Sequence, residues 1–212
     1  MTDRTADVPV PAARRRYHHG DLAEALAAAA GELIEEVGPA RLSLSECCRR
    51  AGVSTAAPYK HFRDKDALIG RVALEGFAAL AEATAAAKEA RRDDPAVRRI
   101  AAMGSAYVRF ALARPGLFGL MFGAGAEAGG EDPALEAAGR ACFSVLIDEV
   151  AAAIGDDDGE RARRLSAALW TFVHGAAALA QGGNYEAAGI ETDIDAMIEN
   201  ATERLLGERA SD

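Results

Sequence analysis

Apolar residues recur along this chain at the three-and-four spacing of amphipathic helices, and no segment shows the strict alternation of a half-buried strand. The first pattern carries Leu22, Leu26, Ala29, Ala30, Leu33 and Val37; Asp21 with Glu24 reads as a capping box at its start, and Gly38-Pro39 stops it. Two short patterns follow. The first starts at Ser43, where Glu46 three residues on completes a second capping box, and runs to about Ala51. Gly52 supplies a residue tolerant of the left-handed conformation, Val53 a buried plug, and Ser54-Thr55 a new cap for a helix to about Phe62. Pro58 falls in the first turn of that helix, where its missing N–H is tolerated. Asp64 then caps a long helix from Lys65 to about Arg92, through Leu68, Ile69, Val72, Gly76, Phe77 and Leu80.

Beyond it, Asp94-Pro95 opens a helix carrying Ile100, Met103, Tyr107, Phe110 and Ala111, which ends at Arg114-Pro115. A short apolar segment, 116–122, precedes a Gly- and Ala-rich loop at 123–131. Asp132-Pro133 starts the next helix, with Leu135, Ala138, Cys142, Val145, Leu146, Val150 and Ile154 on its apolar face; an acidic loop at 155–159 follows. The helix at 160–181 is apolar on two sides, with Leu165, Leu169, Phe172, Ala176 and Leu179 opposite Trp170, His174, Ala177 and Gln181, so both sides need cover. Gly182-Gly183-Asn184 ends it, and Thr192 caps a last helix with Ile194, Met197, Ile198, Ala201 and Leu205 on one face. The pattern predicts an all-α fold of about nine helices.

Helix, short glycine turn, helix over 43–62 is a helix-turn-helix arrangement, and its second helix suits DNA. Thr55, Ala56 and Ala57 are small enough to let a helix end sit deep in a major groove, where a methyl meets a thymine methyl. Ser43, Ser45, Tyr59, Lys60, His61 and Lys65 surround that end and can donate to phosphates or base edges, with Lys60 and Thr55 placed for base preference.

Charge sharpens this picture. The 212 residues carry a net charge of −9, which by itself argues against DNA, but the acid is unevenly spread. Residues 1–72 hold 11 Lys and Arg against 10 Asp and Glu, whereas the remainder holds 13 against 23. The acidity therefore lies outside the DNA-reading region, and groove binding depends on local charge. The 1–16 segment has no periodicity and reads as a disordered tail. Its Arg14, Arg15 and Arg16 are open to two readings, a solvated run or an arm on the DNA backbone or minor groove.

Half the residues are apolar, enough for a core in one domain or two small ones. No run is long and apolar enough to span a bilayer, and the polar, Pro-containing start does not read as a secretory signal. Three cysteines, two of them adjacent, make no disulfide framework, so a reducing cytosol is expected. Cys47, Cys48 and Cys142 read as core residues without an activating base. The paired His18-His19 point different ways and lack partners at ligand spacing, so no metal is expected; no cofactor motif is present.

The segment 41–68 resembles the DNA-binding domain of the TetR family of bacterial regulators. The matching marks are L-S-L-S-E at Leu42–Glu46, R-A-G-V-S at Arg50–Ser54, Y-x-H-F at Tyr59–Phe62 and D-K-D-A-L at Asp64–Leu68, in order and without a gap. Cys47-Cys48 departs from the family's aliphatic-Ala pair, with small apolar substitutes. Three further marks, Y-H-H-G at Tyr17–Gly20, R-P-G-L-F-G-L-M-F at Arg114–Phe122 and W-T-F-V-H-G at Trp170–Gly175, look like the branch named for its Trp, His and Gly. The resemblance implies a DNA-binding domain at 17–80 and a larger helical domain at 81–208 for effector binding and dimerisation. It also implies a cytoplasmic, nucleoid-associated homodimer whose last two helices form a four-helix bundle, and a small molecule that releases it from a palindromic operator.

The aromatic cluster of Tyr107, Phe110, Phe118, Met121, Phe122, Phe143 and Trp170, with His174 and Gln181 as the few polar groups, is the candidate effector site. The expected pocket lies between the helices at 95–114, 116–122, 133–154 and 160–181, with the long helix from Lys65 as lever. Trp170 and His174 are equally well read as core residues with satisfied polar tips. The alternatives to an effector-released repressor are a DNA-binding activator or architectural protein without an effector, and an enzyme using His174 and Tyr107. No nucleophile–base pair, phosphate loop or metal spacing supports the enzyme.

Overall fold

The structure is a computed structural model that describes residues 19–122, 132–156 and 159–207. Among these residues every regular element is helical. In chain order they are α1 (His19–Val37), α2 (Leu44–Arg50), α3 (Lys65–Glu89), α4 (Ala96–Ala113), α5 (Pro115–Phe122), α6 (Pro133–Ile154), α7 (Glu160–Gln181), α8 (Asn184–Ala187) and α9 (Ile194–Gly207), with 3-10 turns at Pro39–Arg41 and Pro58–Lys60. The expected tail at 1–16 with Arg14–Arg16, His18 of the histidine pair, and the loop at 123–131 lie outside the described residues.

Two caps stand where the sequence places them. Asp64 Oδ1 accepts the Ala67 N–H at 2.8 Å and Asp132 Oδ1 accepts the Ala134 N–H at 2.8 Å, so α3 and α6 start at their aspartates. Others differ. α1 begins at His19, ahead of the expected cap at Asp21. Ser43 does precede α2, but its hydroxyl bonds Ser45 Oγ at 2.8 Å, and Glu46 turns to Arg49 and Arg50, so the reciprocal capping box does not form. Bidentate pairing with guanidinium outcompetes a backbone amide for that carboxylate. α9 is capped by Asp193, whose Oδ1 accepts the Ala196 N–H at 3.0 Å, not by Thr192. The short α8 has no counterpart in the sequence reading.

The largest departure is at 55–62. In place of the expected helix the chain makes a turn at 55–57 and the 3-10 turn Pro58–Lys60. Pro58 has no N–H for the Ser54 carbonyl, which accepts the Ala57 N–H at 2.9 Å instead; His61 N–H then bonds Pro58 O at 2.8 Å. The backbone keeps right-handed dihedrals at Ala57 (φ −65°, ψ −40°), so the segment is helix-like with tighter bonding.

One continuous core runs from Leu26, Ile34, Cys47, Cys48 and Phe62 through Leu68 and Phe77 of α3 to Leu117, Leu120 and Val173. A smaller cluster joins Ile100, Val150, Ala162 and Leu169. α3 belongs to both halves: its 25 residues, roughly 37 Å at about 1.5 Å each, cross the expected boundary near residue 80 without a break. α4 is the hub of the larger half, touching α3, α5, α6, α7 and α9. On α7 the buried line is Ala162, Ser166, Leu169, Val173, Ala176 and Ala177, while Trp170 (39 % exposed) and Leu179 (45 % exposed) reach solvent. Leu179 is thus uncovered within the chain although Leu169 and Ala176 of its face are buried, and Val173, a residue outside both expected faces, points inward.

Candidate nucleic-acid interface and effector cavity

The helix-turn-helix segment sorts its side chains by burial. Pro58 and Phe62 point inward, one helical turn apart, while Tyr59 (65 % exposed) and Lys60 face water. Thr55 and Ala56 are exposed, and Ala57 and His61 half-buried. Ser43 and Ser45 are exposed at the start of α2, and Lys65 is the first residue of α3. Lys60 and Lys65 make no ion pair among the described residues. Glu36, Glu46 and Asp64 nearby, by contrast, are engaged. Arg50 bonds Glu36 through both terminal nitrogens, at 2.7 and 2.5 Å, and Glu46 at 3.3 Å, tying α2 to α1. The guanidinium of Arg49 beside it, and then that of Arg50, hold the Glu46 carboxyl down to about 2. Arg49, with its side chain 72 % exposed, and Arg63, at 88 %, are further cations at this surface that the sequence reading did not select.

Cys47 and Cys48 are buried against α1 and α3, and burial pushes both thiols up, away from the thiolate a redox switch needs. Cys142 is likewise pushed up by burial and donates its S–H to Phe77 O at 3.4 Å.

The larger half encloses a cavity of about 640 Å³. Tyr107, Met121, Phe122, Phe143 and Trp170 line it, as the aromatic pattern suggested. Phe110, Phe118 and His174 do not. Phe118 packs edge-on to Tyr107 with ring centroids 5.5 Å apart and lies 5.3 Å from His174; it fills the space behind Tyr107. His174 sits behind Tyr107 too, its Nδ1 2.9 Å from the Tyr107 hydroxyl, and burial lowers its pKa, favouring the neutral imidazole. Phe110 packs at the edge of the main core. Gln181 donates to Ala111 O at 2.7 Å and does not reach the cavity. Trp170 Nε1 donates to the Tyr107 hydroxyl at 3.2 Å, and burial raises the Tyr107 pKa. The walls extend beyond the expected helices: α3 contributes Ile69, Phe77, Leu80 and Thr84, and α9 contributes Ile198 and Thr202.

Sequence reasoning also missed Glu35. From the last turns of α1 its carboxylate accepts the Gly116 N–H at 2.8 Å, the Leu117 N–H at 3.2 Å and Arg114 Nε at 3.0 Å. It therefore holds the N-terminus of α5, where free amides and the helix dipole favour an anion. Gly116 makes the approach possible: a Cβ there would stand 2.5 Å from Ile34 O. The far end of the same eight-residue helix supplies Leu120, Met121 and Phe122 to the cavity wall. α1 and the cavity are thus one short helix apart. Nothing in the local pattern of α1 distinguishes Glu35 from Glu36.

Known proteins sharpen this geometry. The model of the bacterial regulatory proteins of the tetR family matches residues 26–72, and that of the tetracyclin repressor-like C-terminal domain matches residues 100–205. The chain belongs to the TetR family. A structure of a protein with unknown function from Rhodococcus sp. RHA1 is 34 % identical, with a TM-score of 0.75, covering 92 % of this chain and 98 % of that one. Two more distant structures share the fold. A tetR-family transcriptional regulator from Streptomyces coelicolor is 16 % identical, TM-score 0.68, covering 88 % of this chain and 79 % of that one. The transcriptional regulator FadR from Bacillus subtilis, in complex with stearoyl-CoA, is 15 % identical, TM-score 0.65, covering 86 % and 97 %. No curated protein matches the chain. Membership makes the chain a DNA-binding transcriptional regulator, and its family and fold are those of regulators, not of enzymes. No helix among the described residues is long and apolar enough to cross a membrane.

Proposed function

We propose that this TetR-family regulator is a cytoplasmic repressor that a small apolar effector releases from a palindromic operator. The observation that carries the reading is the cavity of about 640 Å³, walled in part by α3, the helix that begins at the DNA-facing Lys65. A cavity of this size and apolar lining falls in the range of small-molecule sites. Thr55 and Lys60 read bases; Ser43, Ser45, Tyr59, His61 and Lys65 hold phosphates, and Ala56 and Ala57 allow the close approach. Two copies pair through α7 and α9. The exposed Ala167, Thr171, Ala178 and Leu179 on α7 are small or apolar, which favours close helix packing. A two-fold dimer places its recognition segments about 34–36 Å or somewhat more apart, one helical turn of DNA.

The effector acts through differential affinity for two arrangements of the cavity walls. Two connections lead outward: α3 itself, and the contact of Glu35 with the start of α5. A shift of either changes the separation of the two recognition segments, which a rigid operator fixes. An effector with the typical coupling of about 1–3 kcal/mol lowers operator affinity about 5–150-fold. The test is a gel shift on a duplex from the DNA upstream of the protein's own coding sequence, with and without cell extract or a compound library. Specific retention that a compound reverses is the expected result. Retention that no compound alters favours the activator or architectural reading, and no sequence-specific retention removes the reading altogether. Sedimentation at micromolar concentration should show a dimer; a monomer overturns the pairing through α7 and α9.

A further inference from the structure

We propose that the cavity selects an apolar molecule whose polar end is a hydrogen-bond donor, uncharged or cationic, and that it rejects carboxylates and other anions. The proposal rests on the effector reading for its biological use, though not for its chemistry. The deep walls are apolar: Leu80, Ile100, Met103, Leu120, Leu169 and Ile198 are all buried. What matters is how the few polar groups among them are already used.

Thr84 donates its hydroxyl to Leu80 O at 3.0 Å and Ala81 O at 3.1 Å, and Thr202 donates to Ile198 O at 2.8 Å. The Cys142 thiol donates to Phe77 O, and the Trp170 N–H to Tyr107. Each of these donors is spent within the protein, whereas the oxygens of Thr84 and Thr202 keep lone pairs. Tyr107 has one further bond, with His174. Where His174 Nδ1 is the acceptor, the Tyr107 O–H is spent as well; in the other tautomer a single neutral O–H is free. The interior therefore offers acceptors and at most one uncharged donor among the described residues.

A carboxylate in such a place loses its water and gains almost nothing in return, which is a large penalty. The rim does not rescue it. Arg140 is the one cation among the described lining residues, and it bonds Glu136 at 2.9 Å. Asp132 joins Glu136 at that edge, so the two carboxylates outnumber the guanidinium. Asp132 uses Oδ1 to cap α6, and its Oδ2 faces α3, 3.8 Å from where a Gly70 side chain would begin. An alcohol or ammonium group finds acceptors at both the rim and the interior. The stearoyl-CoA held by Bacillus subtilis FadR is anionic, so the ligand chemistry inferred for this cavity differs from that of this relative in fold.

Trp170 is the only tryptophan of the chain and lines the cavity, so its fluorescence reports occupancy. The full-length protein would be titrated at about pH 7, where alkylamines are protonated, with decylamine, decanol and decanoate, each below its micelle-forming concentration. Calorimetry of the same titrations guards against silent binding. Decylamine and decanol should bind, and decanoate at least about tenfold more weakly. Equal or tighter binding of decanoate overturns the proposal, as does failure of all three to bind. In a protein carrying both Asp132→Asn and Glu136→Gln, the preference for amine over decanoate should narrow about threefold or more, while decanol should still bind more tightly than decanoate because the interior keeps at most one uncharged donor. Asn keeps an oxygen for the α6 cap, so folding is preserved. An unchanged preference removes the carboxylates from the account. A bound amine or alcohol that leaves operator affinity untouched removes the effector reading and leaves the cavity's selectivity standing. Tight decanoate binding that releases DNA does the reverse.

Discussion

Replacing Glu35 by Ala should uncouple the cavity from the DNA-binding half while leaving both sites intact. Glu35 makes three contacts with the start of α5, to Gly116 N, Leu117 N and Arg114 Nε, with its side chain 22 % exposed. A hydrogen bond to a charged group contributes about 1.5–3 kcal/mol and a lost helix cap costs about 0.5–2 kcal/mol. These are not additive here, since water reaches part of the freed helix end, so a loss of about 2–3 kcal/mol is expected. That is comparable with a typical coupling free energy of about 1–3 kcal/mol. In the variant, the ligand-induced loss of operator affinity should therefore fall from about 5–150-fold to a few-fold. Ligand affinity measured without DNA should change little, because Glu35 does not line the cavity. The assay is operator binding by fluorescence anisotropy at several ligand concentrations, with ligand affinity read from Trp170. Glu35→Gln keeps an acceptor oxygen for the backbone amides and should retain most of the coupling. Gly116→Ala attacks the same contact from the other side, since its Cβ would meet Ile34 O at 2.5 Å, and should mimic Glu35→Ala. Full coupling in both Glu35→Ala and Gly116→Ala would refute the role of this contact and leave α3 as the only connection.

Other expectations follow from the same geometry. Lys65→Ala should weaken binding to all duplexes alike and reduce the salt slope by about one unit, whereas a change at Lys60 should cost about 1–3 kcal/mol at particular base pairs; a change in operator choice in Lys65→Ala would show the assignment to be wrong. Trp170→Ala should abolish the ligand response with operator affinity kept within a few-fold, because Trp170 is 39 % exposed and its loss leaves the buried core filled; circular dichroism showing an unfolded protein would restore the core-packing reading. Glu46, held down to about 2 by Arg49 and Arg50, contributes stability that is present above its unfolded value of 4.5 and is lost as pH falls toward about 2. Acid unfolding followed over that window should be less steep in Glu46→Gln, and an identical pH profile would count against the pairing.

What the sequence made legible is local. Asp64 and Asp132 each sit one residue ahead of a helix start and cap it with Oδ1, and the glycines after Ile154 and Gln181 stop α6 and α7 as expected. The Tyr107–Phe122–Trp170 side of the cavity was visible because aromatic residues of three helices share an apolar pattern. The contributions of α3 and α9 were not, since Ile69, Leu80 and Ile198 look like any core residue until the helices are packed and a space is left between them. By position Pro58 is a tolerated first-turn residue, whereas its missing N–H decides the bonding of the whole segment. Glu35 lies in a polar pair, and only the tertiary crossing with α5 gives it a partner 81 residues away.

The central claim is that occupation of the cavity loosens the grip on DNA, and both events can be followed in one titration. A labelled duplex from the protein's own upstream region reports binding by anisotropy while Trp170 reports the cavity. The account predicts that a compound quenching Trp170 releases the duplex with a matching midpoint. It also predicts that bound operator weakens the compound by the same factor, as linkage requires. Saturation of Trp170 with operator affinity unchanged would contradict it.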